Sequence, residues 1–118
     1  YDKALMYFKK SLTLSDSLNL KDYSAINKGN IGEVYLGLFK LSNKKNSALL
    51  NLSVIHLKDA IDLCEVIGLS APKIEFTESL IEAYSYKKEY KSALELLEKK
   101  VQWKDSLYTI ESKKEIAK

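Results

Sequence analysis

Glycine and proline are rare in this chain, with four Gly and one Pro among 118 residues. These residue types supply most tight turns, and a β-sandwich of this length would need many of them. Lys, Leu, Glu, Ser, Ala and Ile are abundant instead, a composition that favours an all-helical protein. A hydrophobic content of 46% is enough for one domain with a modest core. We therefore expect a single all-α domain.

Apolar residues recur at steps of three and four in five successive segments, as they do in amphipathic helices. Gly68 is expected to end the third helix and Ser70 to cap the fourth. Short connections make neighbouring helices antiparallel, which either a bundle or a solenoid would satisfy. The predicted helices span 2–18, 21–40, a segment from the end of LSNKKN to Gly68, Ser70 to about Tyr86, and Tyr90 to beyond Trp103.

Two sequence patterns repeat along these helices. The second and fourth predicted helices share an aliphatic residue followed four positions later by Tyr, in KGNIGEVY (28–35) and TESLIEAY (77–84). These two are called the first helices of each pair. The first, third and fifth predicted helices, called the second helices of each pair, share a small residue followed four positions later by a large apolar one. Ala93 would let two helices approach closely while neighbouring apolar side chains fill the space around it. These second-helix pairs are Ala4 with Phe8, Ser53 with Leu57, and Ala93 with Leu97, and the expected filling residues around Ala93 are Tyr84, Tyr90 and Leu97.

This pattern resembles the tetratricopeptide repeat (TPR), whose helices carry W-x2-L-G-x2-Y and A-x3-F. The repeats are longer than the usual length of about 34 residues, and resemble those fused to bacterial sensor kinases and transcription regulators. The resemblance implies an antiparallel helix-pair solenoid of about two and a half repeats. Its parts would be a half repeat at 1–18, repeats at 21–67 and 70–107, and a capping or connector helix at 108–118.

The resemblance also implies a non-catalytic module that binds a protein or peptide along its first helices, as the sensory or scaffolding part of a larger bacterial regulator. The groove-lining candidates are mainly acidic, which favours a partner with a basic segment. The alternative is an ordinary solvated helix face. A structural spacer or dimerisation domain without a separate ligand has the same fold. The candidate groove residues are Asn30, Glu33, Glu75, Glu78 and Glu82.

Trp103 lies late in the fifth helix, away from the tryptophan position of the repeat signature. It is expected either to pack at the end of the core or to contribute to an interface, with a homodimer as one possible assembly. The following segment retains too little of an apolar pattern to decide between a cap and a connector.

Other classes of function find little support in the sequence. All nineteen basic residues are Lys, and without the Arg fork specific nucleic-acid recognition is not expected. The sequence contains no run of eighteen apolar residues, so a membrane span is not predicted. His56 is the sole histidine and Cys64 the sole cysteine, so we expect no enzyme, cofactor or metal site. Both cytoplasmic and periplasmic locations stay open.

Overall fold

The computed structural model describes the backbone of residues 1–117 and the side chains of residues 1–106. The described backbone is helical apart from short loops and contains no β-strand, so the expectation of an all-α fold with five helices is confirmed. The predicted segment 108–118 falls where side chains are not described, and its role stays a prediction. The helices are α1 (Asp2–Ser17), α2 (Lys21–Leu41), α3 (Ser47–Ile67), α4 (Ser70–Tyr86) and α5 (Tyr90–Ala117).

The turn between α3 and α4 is built on Gly68, which has the left-handed φ of 81°. The next N–H, that of Leu69, donates to the carbonyl of Cys64 at 2.9 Å, as in a glycine-terminated helix. The prediction for the end of α3 is therefore confirmed. The prediction that Ser70 caps α4 is wrong, because Leu69 occupies the N-cap position and no side chain caps this helix. The turn is so short that Ser70 is already helical.

Each helix packs against its neighbours in the chain, most extensively α2 against α3. α2 also touches α4, whereas α1 packs against α2 alone and α5 against α4 alone in the part of the chain that is described. The molecule measures 50 × 37 × 19 Å, and its smallest dimension is about two helix diameters. It is therefore a slab of helices in which α1 and α5 form opposite edges.

Small residues allow α2 and α3 to approach closely. Ser53 is completely buried, and its hydroxyl donates to the carbonyl of Gly32 at 2.8 Å. A Cβ atom placed on Gly32 would lie 2.7 Å from Cγ of Leu57 and 3.0 Å from its backbone nitrogen. Any larger residue at position 32 would push the helices apart.

The contact between α2 and α4 rests on Gly29 and Phe76. The Phe76 ring is 1% exposed and lies directly on the backbone of Gly29, where a Cβ atom would overlap it. This ring fixes the distance between the two helices at their N-terminal halves. The polar residues one turn further along each helix consequently face each other.

The packing of α5 differs in part from the prediction. Ala93 is buried against α4, as expected, but Tyr90 and Leu97 are largely exposed. Leu96 and Trp103 pack against the core in their place. At about 100° per residue, Leu96 and Trp103 lie about 60° and 80° to one side of Ala93, whereas Leu97 lies about 40° to the other side. The buried face of α5 is therefore centred on the side of Ala93 that carries Leu96 and Trp103.

Candidate partner-binding site

Two of the predicted groove residues meet where α2 and α4 lie side by side. Glu33 of α2 is half-buried, and its Oε2 accepts a hydrogen bond of 2.7 Å from the hydroxyl of Ser79 on α4. Glu75 lies one turn before Ser79, close enough for its charge to act on Glu33. Asn30 is half-buried one turn before Glu33 on the same helix. We call this surface, together with the hollow described below, the α2–α4 groove.

The carboxyl group of Glu33 is held in an unfavourable environment. Burial raises its pKa, the hydrogen bond from Ser79 lowers it, and the nearby charge of Glu75 raises it. Neither Glu33 nor Glu75 forms an ion pair with any side chain that the structure describes. The groove therefore presents two carboxylates with no counter-charge from the described chain, one of them partly removed from water.

An apolar hollow of about 270 Å³ adjoins this acidic pair at the N-terminal ends of α2 and α4. The side chain of Glu75 belongs to its rim, so the hollow and the carboxylates form one continuous surface. The geometry offers a charged contact next to a place for an apolar side chain. The hollow is lined by Ile26, Ala71, Pro72, Glu75 and Phe76.

The other two predicted glutamates have partners within the chain. Glu82 forms an ion pair with Lys40 of α2, and its hydrogen bond raises the pKa of that lysine. Glu78 faces α5, where Lys104 lies 3.1 Å away and Lys100 lies 3.7 Å away. The hydrogen bond from Lys104 lowers the pKa of Glu78. These lysines offset the charge of Glu78 and Glu82. The acidic residues without an ion pair are therefore Glu33 and Glu75.

Trp103 lies half-buried against the core, with the ammonium of Lys73 over its ring at 4.0 Å from the centroid. It also borders a second cavity, of about 320 Å³, between α3 and α5, whose floor includes Leu80 and Tyr84. This position matches the predicted packing at an edge of the core. An interface role for Trp103 stays a prediction.

Two parts of the groove are not among the residues predicted from the sequence. Ser79 lies one turn after Glu75 on the same helix face, a spacing that places it beside the acidic residues. The hollow at Ile26 and Pro72 could not have been found in this way, because it depends on the ring of Phe76 holding α2 and α4 at a fixed distance.

Residues capable of chemistry elsewhere are dispersed. No group of three His, Cys, Asp or Glu in the described residues is placed to hold a metal ion. His56 bonds through Nδ1 to the carbonyl of Leu52 at 2.8 Å and lies beside the ring of Tyr35. Cys64 is buried, and burial raises the pKa of its thiol. No helix in the described residues is long and apolar enough to cross a membrane.

The chain was compared with models of protein families, with curated proteins and with solved structures, and none of the three comparisons gave a match. The resemblance to the tetratricopeptide repeat consequently stays a prediction from the residue patterns.

Proposed function

We propose that this chain is a non-catalytic protein-interaction module that docks a basic segment of a partner protein in the α2–α4 groove. The observation that carries the proposal is the half-buried carboxylate of Glu33, beside Glu75 and without an ion pair in the described chain. Partly burying a charge without a counter-charge costs free energy. A Lys or Arg side chain from a partner would offset that cost.

The hollow next to Glu75 supports a two-part contact. A basic side chain would reach Glu33 and Glu75, while an adjacent aliphatic side chain would occupy the space over Phe76. Most binding sites combine apolar burial with a few placed polar groups in this manner. The charged contact would set register and encounter rate, and the apolar contact would slow dissociation.

The order of packing supports a TPR-like solenoid as the scaffold. α2 and α4, which carry the first-helix pattern, touch each other, and α3 packs against both. In a helix-pair repeat, the first helices of successive pairs line one surface. The α2–α4 groove would lie on that surface. The same proposal takes the chain to be the sensory or scaffolding part of a larger bacterial signalling or regulatory protein.

The alternative function is a structural spacer or dimerisation domain without a separate ligand. It is favoured by the exposed apolar residues on α5, which the groove proposal does not use. In that case Glu33 and Glu75 would be solvated surface residues. Titration of the groove distinguishes the two functions, because only the docking module responds to a basic probe at these residues.

The test is an NMR titration of the ¹⁵N-labelled chain with acetyl-Leu-Arg-amide. We expect weak binding, with a Kd of about 1 mM, and shifts concentrated at the amides of Asn30, Glu33, Glu75 and Ser79. Acetyl-Leu-citrulline-amide is the matched probe, since citrulline has nearly the shape of arginine but no charge.

The protein control for this titration is a pair of double variants. Glu33→Gln with Glu75→Gln should abolish the shifts, whereas Asp59→Asn with Glu65→Gln, which removes the same charge from α3, should preserve them. Equal shifts with the citrulline probe, or undiminished binding by the Glu33/Glu75 variant, would refute the groove as a site for basic segments.

A further inference from the structure

The outer side of α5 carries a continuous apolar stripe that the described chain leaves uncovered. Tyr90, Leu94, Leu97 and Val101 are 64%, 56%, 41% and 49% exposed. Their spacing of four, three and four residues places all four side chains along one line of the helix. Isolated exposed apolar residues are common, but a regular line of four is the pattern of a helix that packs against another helix.

The position of α5 makes this stripe accessible. In the described residues α5 packs against α4 alone, through the side that contains Ala93 and Leu96. The stripe is turned by about 100° from that contact, and its four side chains stay exposed beside it. α5 also continues as one helix to Ala117, so no described helix folds back to cover it.

Charged residues beside the stripe indicate what covers it. Lys91 and Glu98 are exposed and lie along the same flank of the stripe, and neither forms an ion pair with a described side chain. If a second α5 packs antiparallel, Leu94 of each copy meets Leu97 of the other and Tyr90 meets Val101. This register brings Lys91 of each copy next to Glu98 of the other, which gives two identical ion pairs.

We propose that two copies of this chain associate through α5 in an antiparallel, twofold-symmetric contact built on Tyr90, Leu94, Leu97 and Val101. A parallel contact is less favourable on the same evidence. It would place Ala93 opposite Glu98, which gives no ion pair. It would also need Lys100 for a flanking ion pair, and Lys100 already lies near Glu78 of its own chain. Only the antiparallel arrangement pairs the two flanking charges that have no described partner.

The first test is sedimentation equilibrium of the 118-residue chain. Because four layers of side chains form a small interface, we expect a reversible dimer with a Kd of about 10–100 µM. Leu94→Glu should raise this Kd at least about tenfold, since it places a charge in the centre of the contact. Val66→Glu is the matched control, because Val66 is 80% exposed on α3 and should leave the dimer unchanged.

The second test is a charge exchange that distinguishes the antiparallel arrangement from any other contact. Lys91→Glu alone and Glu98→Lys alone should each raise the Kd about three- to tenfold, because each creates two repulsive pairs. An equimolar mixture of the two variants should form a heterodimer about as tight as the wild-type dimer, since both ion pairs are then restored, one in the original order and one reversed.

The proposal is overturned if the chain is monomeric at about 1 mM, well above the expected Kd. It is also overturned if Leu94→Glu and Val66→Glu behave alike, or if the mixture associates no more tightly than its components. None of these variants touches the α2–α4 groove, so their results are independent of the proposed docking function. Circular dichroism of each variant establishes that a lost dimer is not a lost fold.

Discussion

At the scale of single residues, Glu33 illustrates how a half-buried carboxylate can reduce the stability of the folded chain. Its pKa is raised above 4.5, mainly by burial, so the folded state binds more protons than the unfolded state between 4.5 and the raised value. Stability therefore falls as the pH rises through that interval, and the cost persists at neutral pH. Ionisable groups with strongly perturbed pKa values are found preferentially at functional sites.

Glu33→Gln should accordingly raise the free energy of unfolding at pH 7. The amide oxygen can still accept the hydrogen bond from Ser79, while the buried charge is removed. The difference from wild type should disappear below about pH 4.5, where the carboxyl is protonated in both states. Urea unfolding at a series of pH values measures this directly.

Glu78→Gln is the control with the opposite sign. The hydrogen bond from Lys104 lowers the pKa of Glu78, so its charge stabilises the fold above the unfolded-state pKa and ceases to do so as the pH falls through the folded-state pKa. We expect this variant to be slightly less stable than wild type at pH 7. If Glu33→Gln destabilised the protein as Glu78→Gln does, the assignment of Glu33 as the uncompensated carboxylate would be wrong.

Gly29→Ala should destabilise the protein by about 1–2 kcal/mol, even though alanine favours helix over glycine by about 1 kcal/mol. The added methyl group would overlap the buried Phe76 ring, so the ring or the helix backbone has to be displaced. Gly37→Ala is the matched control, because its methyl group meets the ring of Tyr1, which is exposed and can turn aside. Thermal unfolding should show a loss for the first variant and no loss for the second.

At the scale of helices, Ala93 sets the distance between α4 and α5. Ala93→Leu should destabilise the fold by about 1–3 kcal/mol, because the larger side chain cannot fit against α4 without moving the helices apart. Ala48→Leu, at an exposed position of α3, is the control and should change stability little. Unaltered chemical denaturation of the Ala93→Leu variant would contradict the described packing of α5.

The helices themselves could be predicted from the sequence, because periodicity and a terminal glycine are local signals. Gly68 is an example, since its left-handed φ is needed by the turn alone. The side of α5 that faces α4 could not be assigned in the same way. Leu96 and Leu97 are chemically equivalent and adjacent, and only the position of α4 decides which one is buried.

The candidate site shows the same division between local and long-range information. The spacing of three and four residues placed Glu75, Glu78 and Glu82 along one side of α4. Their partners could not be inferred, because Lys40 and Lys104 lie on other helices and approach only in the folded chain. The sequence therefore predicted an acidic surface but not which of its charges stay uncompensated.

At the scale of the whole molecule, the two proposed contact surfaces involve separate parts of the fold. The α2–α4 groove is formed by α2 and α4, whereas the α5 stripe is an exposed face of an edge helix. A dimer through α5 would therefore carry two accessible grooves. Two linked grooves bind a partner with two basic segments more tightly than one groove does, provided that the spacing allows both to be occupied.

The central claim, that the α2–α4 groove docks a basic segment of another protein, is tested most directly by selecting peptides from a random displayed library. Wild-type chain and the Glu33→Gln/Glu75→Gln variant would be selected in parallel and the enriched sequences compared. We predict that wild type enriches peptides with a Lys or Arg next to an aliphatic residue, and that the variant does not. Enrichment of the same peptides by both proteins, or of none by wild type, would contradict the claim.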